Sequence, residues 1–326
     1  MKAMQLHSPS PIGKEPLRHV ELDRPNPGDE EVLIRVNVCG ACHTDLHVAE
    51  GDIELPVLPI VPGHQVVGTV EEVGARVTDW KAGDRIGAAW LHRTCGTCRF
   101  CERDQENLCE NARFTGWHVN GGFAEFMTVP GAFAYRVPES VSDRSAAPLL
   151  CAEIVGYRAL KRSRPRSGKR LGLVGFGASA HIAIQIAIHW GCEVYVFTRS
   201  PNHQKLATKL GASWVGRAEE RPPHALDSAV IYAPAGKLVP AILRRLDKGG
   251  TLSLAGISMT PIPEMDYQQE LYHERTVTST ANATRADGRA MMRLAAEAGV
   301  ETEVETFPLA EANRVLQMVK NSEIGG

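Results

Sequence analysis

The chain has 326 residues, 43% of them hydrophobic and 23% charged, with a formal net charge of −2; this is the make-up of an ordinary globular protein long enough for two domains. Such a balance excludes the basic footprint of a nucleic-acid binder and gives no hold on an acidic membrane. The longest apolar stretch, IAIQIAIHW at 182–190, is about half the roughly 20 residues that a membrane span needs, and MKAMQLHSPSP at the start has no apolar core of a signal peptide, so a cytoplasmic location is expected.

From the N-terminus, EEVLIRVNVCG (30–40) alternates apolar and polar residues over a strand's length, as do VVGTVEEVG (66–74) and AEFMTVP (124–130). NPGD, PGH and AGD punctuate them, which predicts a β-rich region of barrel or sandwich type with loops. Within it, Cys95, Cys98, Cys101 and Cys109 stand in the spacing C-x2-C-x2-C-x7-C. Four thiolates this close can wrap one tetrahedral ion on a single loop. Zinc suits that set, and an iron–sulfur cluster is the other chemical possibility. Closed coordination leaves no open position, so the site is expected to be structural. The chain has eight cysteines in all, and without a signal peptide they point to metal before disulfides.

The texture changes near residue 145. AAPLLCAEIVGYRALK (146–161) has helical spacing of its apolar residues. KRSRPRSGKR (161–170) reads as a solvated linker, which could also lend positive potential to a nearby anionic cofactor. Beyond it strand and helix alternate: RLGLVGF (170–176), ASAHIAIQIAIHWG (178–191), EVYVFT (193–198), HQKLATKLGA (203–212), DSAVIYA (227–233), LVPAILRRL (238–246) and GTLSLAGI (250–257). That order predicts an α/β domain with a doubly wound parallel sheet. A strand at RTVTSTANA (275–283) and helices over 285–299 and 308–322 follow.

Gly175-Phe176-Gly177-Ala178-Ser179-Ala180 follows a strand and opens a helix, the context of a dinucleotide-binding loop with Ala at the third glycine position. A plain tight turn is the alternative. Gly175 permits the turn, and Gly177 lets the backbone approach a pyrophosphate at the helix N-terminus. The second strand ends in Thr198-Arg199-Ser200, with no acidic residue before Glu219. An acid there would bind the ribose of NAD(H); Arg199 with the hydroxyls of Thr198 and Ser200 instead suits a 2′-phosphate, which points to NADP(H) before NAD(H).

Cys42 in CGACHTDLH, His64 in PGHQ and Cys151 in PLLCAE are too far apart for any spacing rule; taken singly, each reads as a buried thiol or a core histidine. Across nearly the whole chain, however, CGACHTDLH (39–47), PGHQVVG (62–68), GDRIGAAW (83–90), the four-cysteine loop, GGFAEF (121–126), PLLCA (148–152) and GFGASA (175–180) occur in an order that resembles the zinc-containing alcohol dehydrogenases of the medium-chain dehydrogenase/reductase superfamily. The resemblance implies a GroES-like, β-rich catalytic domain over 1–150, completed by about 290–326, and a Rossmann nucleotide-binding domain over 151–289, with a cleft between them. It implies a catalytic zinc on Cys42, His64 and Cys151, a structural zinc on Cys95, Cys98, Cys101 and Cys109, and a proton relay from Thr44 through the nicotinamide ribose to His47. Two thiolates and an imidazole leave zinc a fourth position, where it acts as Lewis acid on an alcohol or aldehyde while hydride passes to or from nicotinamide. A small alcohol or aldehyde as substrate and a homo-oligomer, dimer or tetramer, are implied as well.

The chain departs from that pattern in places. Gln65 stands where the family usually has Glu, and Glu153, two residues past Cys151, where Gly is common. Glu153 is expected to restore a carboxylate near the metal. Trp90 and Trp117 lie near the positions that line the substrate pocket, where large rings favour small or flat substrates; ordinary packing is the alternative. The chain stops at Ile324-Gly325-Gly326, where the family continues into a final strand, so a trimmed or disordered end is expected. A nucleotide-binding redox-regulatory protein with a silent site on the same fold is the competing class; the ligand set and relay argue against it, as they do against a zinc-free quinone reductase.

Overall fold

The structure, a computed structural model, describes residues 1–324; the expectation for the chain's last two residues lies outside them. The chain divides into two compact units, the first holding Met1–Cys151, Thr284–Arg293 and 302–324, the second Ala152–Ala283 and Leu294–Glu301. Residues 294–301 thus depart from the expected allotment of the whole C-terminal stretch to the first domain. Gln185 gives the reason: its amide donates to the Glu301 carbonyl and accepts from the Glu301 N–H, both at 2.9 Å.

In the first unit, β1 (Lys2–Leu6) pairs antiparallel with β2 (Leu17–Glu21). The alternating segments form β3 (Glu31–Gly40), β4 (Gln65–Val73) and β5 (Arg85–Ala88), a short ribbon of β6 (Leu91–Arg93) and β7 (Arg113–Phe114), then β8 (Phe126–Pro130) and β9 (Ala134–Arg136). Five of these build one antiparallel sheet in the order β8-β3-β4-β5-β9. Val32, Ile34, Val66, Val70, Ile86 and Met127 fill its core, each buried aliphatic side chain contributing about 1.5–3 kcal/mol. A second core gathers Met4, Leu6, Leu46, Ala49 and Leu316. It joins the N-terminal strands to α1 (His43–Glu50) and to the C-terminal helix over 312–320. Asn313 locks that junction by bonding both the N–H and the carbonyl of Leu17.

The helix expected over 146–161 is three pieces: α2 (Asp143–Pro148), a π-helical turn (Leu149–Glu153) and α3 (Ile154–Ser163). Pro148 lacks the N–H that would continue the ladder, and the following turn widens to the next register. Cys151 sits in the middle of that turn.

The second unit alternates β10 (Arg170–Val174), α4 (Ala178–His189), β11 (Glu193–Phe197), α5 (Pro201–Lys209), β12 (Trp214–Gly216), β13 (Leu226–Ile231), α6 (Leu238–Leu243), β14 (Leu246–Leu254), α7 (Tyr267–Glu270) and β15 (Thr276–Ser279). The six strands are parallel in the order β12-β11-β10-β13-β14-β15, which reverses direction of winding at β10, the switch point where such sheets bind dinucleotides. The near-continuous apolar strands suit a sheet covered on both faces. α8 (Arg285–Glu297) and α9 (Ala312–Lys320) complete the described chain. None of its helices is long and apolar enough to cross a membrane.

Candidate metal centres and active site

Three elements of the first unit converge on one point. Cys42 caps the N-terminus of α1, His64 ends the loop before β4, and Cys151 comes from the π turn; their ligand atoms all lie within 4.8 Å of one another. The sulfur of Cys42 is 3.5 Å from His64 Nε2. Tetrahedral bonds of about 2.3 Å to sulfur and about 2.05 Å to nitrogen would separate such a pair by about 3.6 Å, so the donors fit a zinc ion with one position left open.

Asp45, which is not among the residues expected from the sequence, holds the set together. Its Oδ1 lies 2.9 Å from His64 Nδ1 and accepts the Gly63 N–H at 3.1 Å, while Oδ2 accepts the Cys42 N–H at 3.0 Å. The last bond is half of a capping box, the Cys42 sulfur accepting in return from within the first turn. A carboxylate on the far nitrogen fixes the tautomer and leaves Nε2 to the metal. Burial works against a charged His64, but the Asp45 carboxylate and the Cys42 sulfur outweigh it and raise the imidazole to about 10. Cys42 is pulled well below the usual thiol range by the Cys151 thiol that donates to it, helped by His64 and against burial. The same bond and burial push Cys151 well above that range.

Gln65 is buried at the first position of β4, its amide packed on Gly40. The gathered set contains no carboxylate among the described residues. Glu153 is fully buried and its Oε2 lies 3.2 Å from where a Cβ on Gly156 would stand, a point also 3.3 Å from the Ser179 Cβ. Neither of its oxygens has a hydrogen-bond partner among the described residues, and burial pushes its carboxyl well above the usual range. The carboxylate that serves the ligand set is Asp45, three residues after the first ligand.

The four-cysteine loop fits a second ion. Sulfur–sulfur distances are 3.5 Å for Cys95–Cys109, 3.6 Å for Cys98–Cys101 and 4.0 Å for Cys95–Cys101, against about 3.8 Å for the edge of a tetrahedral zinc–thiolate site. Hydrogen bonds from the backbone at Thr97 and from Cys109 draw the Cys95 thiol down to about 6, whereas burial raises Cys109 to about 11. Glu106, inside the loop, anchors it to α8. Its carboxylate takes both guanidinium arms of Arg285 at 3.0 and 2.7 Å and the Arg285 N–H at 2.8 Å. Burial alone would raise Glu106, and the Arg285 bonds reverse that and lower it. A carboxyl lowered in the folded state stabilises above its unfolded value near 4.5 and loses that contribution as pH falls further. Arg285→Ala is therefore expected to destabilise by about 2–3 kcal/mol at pH 7, with the gap to the parent narrowing below about pH 4.5, as read by chemical denaturation at both pH values.

Thr44 is buried in the first turn of α1, and half-exposed His47 follows one turn later on the same face. His47 Nδ1 is 2.7 Å from Asp52 Oδ2, a partner to which no motif points. Trp90 meets the ring of His64 edge-on at 5.0 Å and stacks on Trp117 at 5.8 Å, with Phe114 between neighbours at 5.2 and 5.6 Å. The predicted tryptophans thus share an aromatic wall with Phe114 and with the His64 ring.

In the second unit, Gly175 has φ +84°, and a Cβ there would lie 2.9 Å from the Ala233 nitrogen, so both backbone conformation and space demand glycine. Gly177 is exposed, caps α4 without a side-chain bond, and has nothing within 4 Å of where a Cβ would stand. Uncapped N–H groups at the head of a 12-residue helix, approached over a bare glycine, fit a pyrophosphate. Ala178 is exposed, Ser179 half-buried and Ala180 fully buried against the sheet. At the end of β11, Arg199 is exposed, the Thr198 side chain is buried, and the Ser200 hydroxyl already caps α5 by accepting from His203 N–H. Of those three side chains, Arg199 is the one open to a phosphate.

Comparison with known proteins is consistent with this geometry. The family description "Alcohol dehydrogenase GroES-like domain" matches residues 28–139 and "Zinc-binding dehydrogenase" matches 180–297. A probable alcohol dehydrogenase, AdhA, of Mycobacterium tuberculosis is 46% identical over 100% of this chain and 96% of its own length. Among solved structures, the cinnamyl alcohol dehydrogenase SbCAD4 of Sorghum bicolor superposes with a TM-score of 0.88 at 30% identity, covering 99% of this chain and 94% of that one. A putative zinc-binding dehydrogenase of Sinorhizobium meliloti bound to NADP superposes at 0.87 with 26% identity, covering 97% and 94%.

Proposed function

The chain belongs to the zinc-binding alcohol dehydrogenases with a GroES-like domain and a Rossmann sheet, an oxidoreductase family, and from that premise we propose that it exchanges hydride between a small primary or secondary alcohol, or the matching aldehyde, and NADP(H), with two zinc ions per chain. The observation that carries this reading is the convergence of Cys42, His64 and Cys151 within 4.8 Å, three ligands and not four. Zinc bound there supplies a Lewis acid for the substrate oxygen. Cys95, Cys98, Cys101 and Cys109 would hold the structural ion.

The chain's own groups do the rest. Asp45 orients His64 and balances the site's charge. Thr44, buried one turn before His47, accepts the alcohol proton in the oxidative direction, and His47, half-exposed and bonded to Asp52, passes it to solvent; a dry site needs such an exit. Gly175, Gly177 and the head of α4 take the pyrophosphate, and Arg199 takes the 2′-phosphate. The rings of Trp90, Phe114 and Trp117 favour flat, aryl-bearing substrates, in keeping with the cinnamyl alcohol dehydrogenase among the structural neighbours. Exposed Ile257, Tyr267 and Tyr272, on the segment between β14 and the edge strand β15, support a homo-oligomer. Eight cysteines without a disulfide suit a reducing cytoplasm.

The test is reduction of an aldehyde series, acetaldehyde to cinnamaldehyde, by the zinc-loaded protein with NADPH and NADH in parallel. Turnover with NADPH, best on the aryl aldehydes, is expected. Arg199→Ala should lower kcat/KM with NADPH about 10- to 100-fold while leaving NADH within about threefold. Equal loss with both cofactors would remove Arg199 as the phosphate partner, and no turnover with either would remove the enzymatic reading itself.

A further inference from the structure

A cavity of about 180 Å³ opens in the second unit between the end of α3 and the edge of the sheet, lined by Lys161, Arg162, Arg164, Thr251, Thr276 and Thr278. That is well above the roughly 10–15 Å³ that a single water requires. The residues that line it are unusual for their place. A helix that packs on a parallel sheet meets aliphatic side chains, since both faces of such a sheet are normally dry. On β14 and β15 the apolar residues Leu252, Leu254 and Val277 pack into the core of one face. Alternation sends Thr251, Ser253, Thr276 and Thr278 to the other. Thr251 pairs with Thr276 and Ser253 with Thr278 across the two strands. The outcome is a patch of hydroxyls where α3 packs, continued by the Ser253–Thr280 hydroxyl contact at 3.3 Å.

The end of α3 brings positive charge to the same place. Arg164 ends the helix with φ +58° and is exposed. No hydrogen bond or ion pair ties its guanidinium to another described residue. Arg162 reaches over the sheet edge, donating to the Ser279 carbonyl at 2.7 Å and to the Thr278 hydroxyl. Lys161 stands 5.3 Å over the Tyr157 ring. The Thr251 and Thr276 hydroxyls make no side-chain hydrogen bond within the described structure, although Thr251 is only 4% exposed.

We propose that this cavity is a binding site for a phosphate group, free or carried as a monoester, separate from the dinucleotide loop. The donors decide the chemistry. The Arg164 guanidinium and the Thr251 and Thr276 hydroxyls are left without a hydrogen-bond partner among the described residues, Arg162 adds a second positive charge beside them, and together they match the tetrahedral oxygens and double charge of a phosphate. The register separates the sites. Thr276 lies in one row with Thr251, Ser228 and Leu171, near the start of β10, whereas the Gly175–Gly177 loop follows that strand's other end. A phosphate here is therefore not part of a dinucleotide bound at Gly177. It bridges α3 to the edge strand, the job Arg162 does alone in the structure.

The test is calorimetric titration of the full-length, zinc-loaded protein in a phosphate-free buffer of fixed ionic strength, with inorganic phosphate in one arm and glycerol phosphate in the other. Arg164→Gly removes the charge and suits a left-handed position, and Thr276→Val removes a hydroxyl without changing shape. Saturable binding by the parent in either arm is expected, the tighter arm naming the source. Arg164→Gly should weaken it about tenfold or more, and Thr276→Val about threefold or more. Absence of binding in both arms, or the same affinity in both variants as in the parent, would overturn the site. The second result would put the phosphate elsewhere on the chain.

Discussion

Cys98→Ser is expected to lower the zinc content by one ion per chain and to unfold the loop between β6 and β7 while leaving the rest of the first unit folded. The loop over 94–112 has little apolar substance of its own: Cys95 is exposed, Cys98 and Cys101 half-exposed, and two short 3₁₀ turns at Cys101–Arg103 and Glu106–Leu108 are its regular structure. On the proposed reading its order comes from the ion and from the Glu106–Arg285 bonds. Structural zinc sites stabilise small modules by about 10–16 kcal/mol at neutral pH. A serine hydroxyl is a poor fourth ligand, and loss of even a third of that figure, about 4 kcal/mol, would lower the melting temperature by about 10 °C or more. Metal analysis and thermal melts on the purified variant measure both quantities. An unchanged zinc count with an unchanged melt would show that the cysteines hold no ion.

Cys151→Ser is expected to act in the opposite sense: a fold kept, turnover lost. The π turn that carries Cys151 is formed by Pro148 and the packing of buried Leu149 and Leu150, not by the sulfur. On the proposed reading, losing one of three ligands would remove the ion that polarises the substrate oxygen, and a fall in kcat/KM of three powers of ten or more, about 4 kcal/mol of barrier, should follow. Asp45→Asn should show the graded version. The amide keeps the shape and loses the charge that faces His64 Nδ1 at 2.9 Å, and a 10- to 100-fold loss of zinc affinity or activity is the usual scale for such partners. Circular dichroism and kinetics on the same samples separate these variants from Cys98→Ser. If Cys151→Ser retained more than a tenth of parental turnover, the ligand set would be wrong.

The two centres differ in how far they could be read from the residues. Cys95 to Cys109 lie on one loop, so spacing alone carries the geometry. Cys42, His64 and Cys151 sit on a helix start, a loop and a π turn, and only folding joins them; family resemblance, not spacing, picked them out. Asp45 is legible in principle as the third residue after a capping cysteine, but cysteine is not a usual cap, so the signal is faint. Proximity in sequence to Cys151 does not fix where Glu153 points within a π turn; its Oε2 lies 3.2 Å from where a Cβ on Gly156 would stand. The single helix read over 146–161 failed on the same turn, where one proline outweighs an otherwise helical pattern. Strands were legible from their alternation, yet β12 is three residues long and gives too little period to read. The hydroxyl rows of GTLSLAG and RTVTSTANA are plain in the sequence, but their meeting under the basic end of α3 depends on the pairing of β14 with β15.

Stepwise removal of zinc with a chelator, with ions per chain and turnover followed in the same samples, bears most directly on the catalytic assignment. The three-ligand centre should release its ion before the closed four-thiolate one, so turnover should vanish as the count falls from two to one, while the melting temperature holds until the last ion leaves. Full turnover at one zinc per chain with the melting temperature unchanged, or with no zinc bound, would contradict a catalytic zinc on Cys42, His64 and Cys151.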